Sequence, residues 1–124
     1  MSIVLTLPIP PSVNALYGNN PHKGRKGRYK TKAYTEWIAQ ADKYLLVQKR
    51  SLRQQSVSGP LSITFRIATS APVDVSNIQK AAEDYLVSRE ITPDDRHNCR
   101  VTSERSDRVP PGMCEVEIRE VEGA

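Results

Sequence analysis

Leu61-Ser62-Ile63-Thr64-Phe65-Arg66-Ile67, followed by Ile78, Ala81, Ala82, Tyr85 and Leu86, is the part of the chain that decides its architecture. The first run alternates apolar and polar side chains, so one face of a strand is buried and the other is polar. Thr69 to Val73, interrupted by Pro72, reads as a loop. The second set recurs at helical spacing and predicts a helix from roughly Asn77 to Arg89. Ser76, with Gln79 three residues on, has the form of a capping box, a hydroxyl cap and a side chain that can reach back to it.

Upstream, Tyr34, Trp37, Ile38, Ala41 and Leu45 fall at i, i+3, i+4, i+7 and i+11, one face of a first helix. Ser51 to Pro60 reads as a polar connector. Ile3 to Leu7 is a strand that Pro8, Pro10 and Pro11 bring to an end, because proline cannot donate to a ladder. Gly18 to Lys32, rich in Gly, Asn and basic residues, is expected to be an exposed loop. Downstream, Thr92-Pro93-Asp94-Asp95 is a turn and Asn98 to Arg105 a weaker strand. Pro110-Pro111-Gly112 must turn, and Cys114, Val116 and Ile118 alternate in a last strand. The order β-α-β-α-β-β predicts an α/β (α+β) fold. It is a single small domain spanning 1–124, with a mixed sheet of about four strands, two main helices on one face and a terminal hairpin.

A chain of 124 residues fits one domain with a modest core. No apolar run approaches the ~20 residues of a membrane-crossing helix, and Met1 to Leu7 lacks a basic leader. The expectation is a soluble, cytoplasmic protein with no membrane partner. Cys99 and Cys114 lack the paired spacing of a zinc site and read as buried or half-buried strand residues, kept reduced. The net charge is +4, yet Lys23, Arg25, Lys26, Arg28, Lys30 and Lys32 alone supply six positive charges with no acid among them. The rest of the chain is therefore net negative, and the positive balance is one local feature. A polyanion is its natural partner, although such a run can also be a solvated segment. Tyr29 within it suits either packing or stacking on an unpaired base. His22 and His97 are isolated and read as surface residues.

Three segments could converge on chemistry: Asp74-Val75-Ser76-Asn77-Ile78-Gln79-Lys80, the acidic pair Asp94-Asp95, and the basic run from Lys23 to Lys32. Phosphodiester hydrolysis needs an activated water and stabilisation of the charge that builds on phosphorus, both of which carboxylate-held Mg²⁺ can supply. Asp74 and Asp95 are the candidate ligands, and Lys80 is the candidate cation for the phosphate. Each also has a structural reading. Asp74 suits a helix N-terminus, Asp94 and Asp95 suit a turn, and Lys80 can pair with Asp84 at i+4.

At these residues the sequence resembles the RusA family of Holliday-junction resolvases. The family signature is Asp-x-Asp-Asn-x-x-Lys with a second acidic pair about twenty residues later. Here it reads Asp74-Val75-Ser76-Asn77-Ile78-Gln79-Lys80, then Asp84, Leu86 and Asp94-Asp95. Leu7-Pro8-Ile9-Pro10-Pro11-Ser12-Val13-Asn14, with Tyr17 after it, and the terminal Glu115-Val116-Glu117-Ile118 are also similar to the family. The resemblance implies a homodimer that binds four-way DNA junctions and nicks opposing strands using Mg²⁺, with Mn²⁺ as a substitute. It implies metal ligands at Asp74, Asp95 and position 76, and a catalytic cation at Lys80.

The departure is Ser76, where the family has aspartate. A serine caps a helix as well as an aspartate does, but its neutral hydroxyl is a poor Mg²⁺ ligand. Asp94, Glu83 and Asp84 are the acids available to compensate. Two further readings therefore stand beside the nuclease: a junction-binding protein of the same fold that does not cut, and a small RNA-binding module.

Overall fold

The computed structural model describes residues 2–19, 28–52, 60–92 and 98–121. Its elements are β1 (Ser2–Pro8), β2 (Tyr17–Asn19), β3 (Arg28–Lys30), α1 (Lys32–Leu52), β4 (Leu61–Ala68), α2 (Gln79–Ser88), β5 (Asn98–Ser106) and β6 (Met113–Glu120). Short 3-10 turns cover Val13–Ala15 and Val75–Ile78. The main sheet runs in the order β1-β6-β4-β5, and β2 pairs with β3 in a separate two-stranded ladder. Within the main sheet β6 is antiparallel to both β1 and β4, whereas β5 is parallel to β4. This is the small mixed α+β domain that the alternating patterns predict.

Alternation gives the sheet its two faces. Leu5 lies opposite Val116, and Val116 opposite Phe65; Ile3, Ile118 and Ile63 form the next row, and Leu7, Cys114 and Ile67 the one beyond. All nine are buried, joined by Tyr34, Trp37 and Ala41 of α1 and by Ala81, Ala82, Tyr85 and Leu86 of α2. The residues between them face the other way. There Arg66 bonds Glu104 and Glu117 at 2.8 Å each, and Arg119 bonds Glu117 at 2.6 Å. Cross-strand pairs of opposite charge suit a sheet face left open to water.

The terminal hairpin does not form, because β4 lies between β5 and β6. Polarity explains the order. The core side of β6 carries Cys114, Val116 and Ile118, all buried. The same side of β5 carries Val101, Ser103 and Arg105, which fit an edge. The other edge, β1, is apolar and is closed by a side chain. Gln48 of α1 accepts from the Thr6 amide (2.8 Å) and donates to the Thr6 carbonyl (2.7 Å), completing a ladder rung where no strand follows. Trp37 adds a second tie from α1 to β1, donating from Nε1 to the Pro8 carbonyl at 2.8 Å.

Three other expectations change. Gly18 to Lys32, expected to be an exposed loop, contains the end of β2 and all of β3, with Gly18 opposite Tyr29, and Lys32 already belongs to α1. The Tyr29 ring lies across Gly18 so closely that a Cβ there would meet it at 2.5 Å, a packing role for a side chain still half exposed. Thr31 sets the helix start: its hydroxyl accepts from the Tyr34 amide (3.2 Å) and donates to the Ala15 carbonyl (2.6 Å). α1 also continues through Ser51 and Leu52, expected to be connector. The cap position of α2 falls at Ile78 and not at Ser76. Ser76 lies within the 3-10 turn, α2 begins at Gln79 with no side-chain cap, and the Gln79 side chain accepts from the Ser103 hydroxyl at 3.0 Å instead of reaching back.

The end of α2 is a left-handed stop. Ile91 donates to the Leu86 carbonyl and Glu90 to that of Val87, with Glu90 at φ 59°. Of the cysteines, Cys114 is buried as expected, while Cys99 is exposed on β5.

Candidate functional site

Asp74 is exposed at the end of the loop that leaves β4, and its carbonyl accepts from the Asn77 amide at 3.0 Å to close the turn. Proline and small residues alone would leave residues 69–73 loosely placed. Arg105 of β5 gathers them. Its guanidinium donates to the carbonyls of Val73 (2.7 Å), Ala71 (2.9 Å), Thr69 (3.3 Å) and Ala68 (3.5 Å). The planar fork suits this work, since it presents several donors in fixed directions. Arg105 is thus the residue that fixes where Asp74 stands. No sequence pattern marks it, because an arginine in a weak edge strand has many possible partners.

Lys80 sits in the first turn of α2 and pairs with Asp84 at 3.2 Å. The lysine side chain is 52 % exposed and the aspartate 31 %. A pair this open is worth no more than ~1 kcal/mol, so a phosphate can compete for the ammonium. Glu83 is half-buried on the same helix. Ser76 has its backbone in the turn between Asp74 and Lys80. Arg28 and Lys30 lie on β3, and Lys32 opens α1, 3.8 Å from Glu36. Asp94, Asp95, His22, His97, Lys23, Arg25 and Lys26 lie outside the described residues.

The acid-bearing turn and the root of the basic segment are neighbours. Thr31, next to β3, is bonded to Ala15, and the Val13–Ala15 turn packs on both Val75–Ile78 and α2. Asn98 starts β5 opposite Leu61, whereas Arg105, whose guanidinium holds the Val73 carbonyl, lies toward the other end of that strand. Of the expected ligands, Asp74 is the described carboxylate, and no group of three His, Cys, Asp or Glu suited to a metal occurs among the described residues.

A second constellation lies between β3, α1 and α2. Asp42 accepts two bonds from Arg89 (2.7 and 2.9 Å) and one from the Tyr85 hydroxyl (2.7 Å), locking α1 to α2. The Arg89 guanidinium holds the Asp42 carboxyl below the usual carboxylate range. Burial, then the charge of Tyr17 and of Asp84, pushes the Tyr34 hydroxyl up to about 12, so it stays protonated at neutral pH. Burial does the same to the Cys114 thiol, also to about 12, which makes it unreactive there. Helical periodicity places Tyr34 and Tyr85 in the core, and they are indeed buried, but it does not show that both also wall a cleft.

No helix among the described residues is long and apolar enough to cross a membrane. The chain matches no protein-family model and no curated protein.

Proposed function

We propose that this chain binds branched DNA and is built as a Mg²⁺-dependent endonuclease of the RusA type, acting on four-way junctions as a homodimer. The observation that carries the reading is the placement of Asp74. It is exposed, it is anchored through its loop by Arg105, and it stands one short turn from Lys80. The Val13–Ala15 turn that packs on this region is also bonded to the foot of the basic segment. Lys23 to Lys32 would contact phosphates, Asp74 and Asp95 would hold the ion, and Lys80 would leave Asp84 to stabilise charge on the scissile phosphate. Bound Mg²⁺ would supply the acidified water and the neutralising charge. A homodimer supplies two such sites related by a two-fold axis, matching the approximate symmetry of a four-way junction.

A second reading is a junction-binding protein that does not cut. The neutral hydroxyl of Ser76, where the family has an acid, favours it. The deciding experiment is Mg²⁺-dependent nicking of a synthetic four-way junction beside linear duplex and a structured RNA. The nuclease reading expects junction nicking that Asp74→Asn and Asp95→Asn each abolish while binding persists. Binding without nicking, converted to nicking by Ser76→Asp, selects the second reading. Tighter binding to the RNA than to the junction would replace both.

A further inference from the structure

A cleft of about 370 Å³ opens between β3, the start of α1 and the end of α2. Its inner wall is aromatic. Tyr17 meets Tyr34 edge to face, with centroids 5.7 Å apart and planes at 81°. Tyr85 forms another part of the wall, and Trp37 backs both buried tyrosines, stacked on Tyr34 at 6.3 Å and T-shaped to Tyr85 at 5.3 Å. Two cations lie at this wall: the Lys30 ammonium sits 5.9 Å over the Tyr34 ring, and the Arg89 guanidinium 5.2 Å over that of Tyr85. Asp84 adds a carboxylate to the same lining.

The geometry points to a site for one unpaired nucleobase, stacked on Tyr17 at the rim of the aromatic wall, with its phosphate on Lys30 and Arg89. The inference rests on the nucleic-acid reading proposed above. Four features select this ligand. The volume sits at the low end of the ~300–1,000 Å³ of small-molecule clefts, so it suits a single nucleotide-sized group. The partly exposed Tyr17 ring offers stacking to any base, because every base has a π-face. Lys30, and the edge of Arg89 that Asp42 does not take, lie beside the Asp84 carboxylate, which matches a group that is anionic at one end and carries N–H donors at the other, as a nucleotide does and a simple phosphate does not. Location is the fourth. Lys30 belongs to the hairpin that carries the basic segment, and Asp84 lies one helical turn from Lys80. A strand running from Lys30 toward Lys80, which pairs with Asp84 of the lining, passes this mouth, and a branch point is where an unpaired base is available.

Trp37 is the only tryptophan in the chain and lies behind the wall, so its emission reports on the cleft. The probe is a deoxythymidine tetranucleotide, whose bases stack weakly on each other, beside an abasic tetranucleotide of the same charge. The proposal expects a saturable change in Trp37 emission with the first, and binding weaker by at least tenfold with the second. Ser88→Phe, which fills the cleft from its rim, should abolish the difference. Tyr17→Leu should weaken the thymidine tetranucleotide on the order of tenfold and leave the abasic one unchanged. Equal binding of the two probes, or no binding of either, overturns the site. Four-way-junction binding measured on the same samples reports the junction reading separately. A junction bound while the probes are not distinguished removes the cleft alone, and discrimination without junction binding removes the junction reading alone.

Discussion

Replacing Arg105 by methionine keeps most of the apolar stem and removes the guanidinium that holds the loop before Asp74. Two of its four bonds are short, to Val73 at 2.7 Å and Ala71 at 2.9 Å, and the others, at 3.3 and 3.5 Å, contribute little. Arg105 is exposed, so water replaces what is lost and each short bond is worth about 0.5–1 kcal/mol rather than the larger value of a buried charged bond. The loss is then about 1–2 kcal/mol. Unfolding entropy of about 2.1 cal/mol/K per residue over this chain turns that into a fall in Tm of about 4–8 °C. The effect should be local as well as global. The Ala71 and Asn77 amides, whose bonds close this loop, should exchange with deuterium roughly tenfold faster, whereas amides of β4 and β6 follow only the global loss. Arg105→Lys should recover less than half, because one ammonium cannot serve two carbonyls in the guanidinium plane. Calorimetry with hydrogen exchange makes the measurement. An unchanged Tm and unchanged Ala71 and Asn77 exchange in Arg105→Met would refute the idea that Arg105 holds this loop.

Asp42→Asn should cost about 1 kcal/mol at neutral pH, since its partners are partly exposed. The Asp42 carboxyl is held below its unfolded value, so this contribution is complete above about pH 4–5 and is lost as the pH falls through the folded value. Thermal melts from pH 7 to 3 should show wild type and variant converging in acid. Glu117, lowered by its bond from Arg66, titrates in the same direction in both proteins and leaves a common slope. Glu90→Gly should raise Tm by about 2–4 °C, because relieving a left-handed non-glycine residue is worth about 0.5–1 kcal/mol after the entropy glycine adds to the unfolded chain. Gln48→Leu uncaps the Thr6 backbone on the edge of β1. It should lower Tm by a few degrees and increase concentration-dependent aggregation, read by light scattering.

Alternation and helical spacing were enough to find the four strands of the main sheet and both helices, because burial of one face leaves a periodic trace in the residues themselves. Strand order left a weaker trace. The polar core side of β5, with Ser103 and Arg105, was legible as an edge, yet the short Pro110-Pro111-Gly112 link suggested a hairpin instead. Thr31 could have been found from its type and position before Lys32, whereas the Ser76-x-x-Gln79 pattern misled. Capping is a local signal, and here Ser103 of a distant strand took the Gln79 side chain. Arg105, Asp42 and Gln48 act through partners 32 to 47 residues away, which no local pattern encodes. The candidate site was legible as a set of acids and a lysine, but the Arg105 clasp on the loop before Asp74 was not.

Whether Asp74 and Asp95 share an ion can be read by electron paramagnetic resonance of bound manganese, with neither DNA nor turnover. Shared ligation gives one weakly held Mn²⁺ per chain, lost in Asp74→Asn and equally in Asp95→Asn, and held at least tenfold more tightly in Ser76→Asp. Wild-type Mn²⁺ affinity in Asp95→Asn, with no gain in Ser76→Asp, would contradict it.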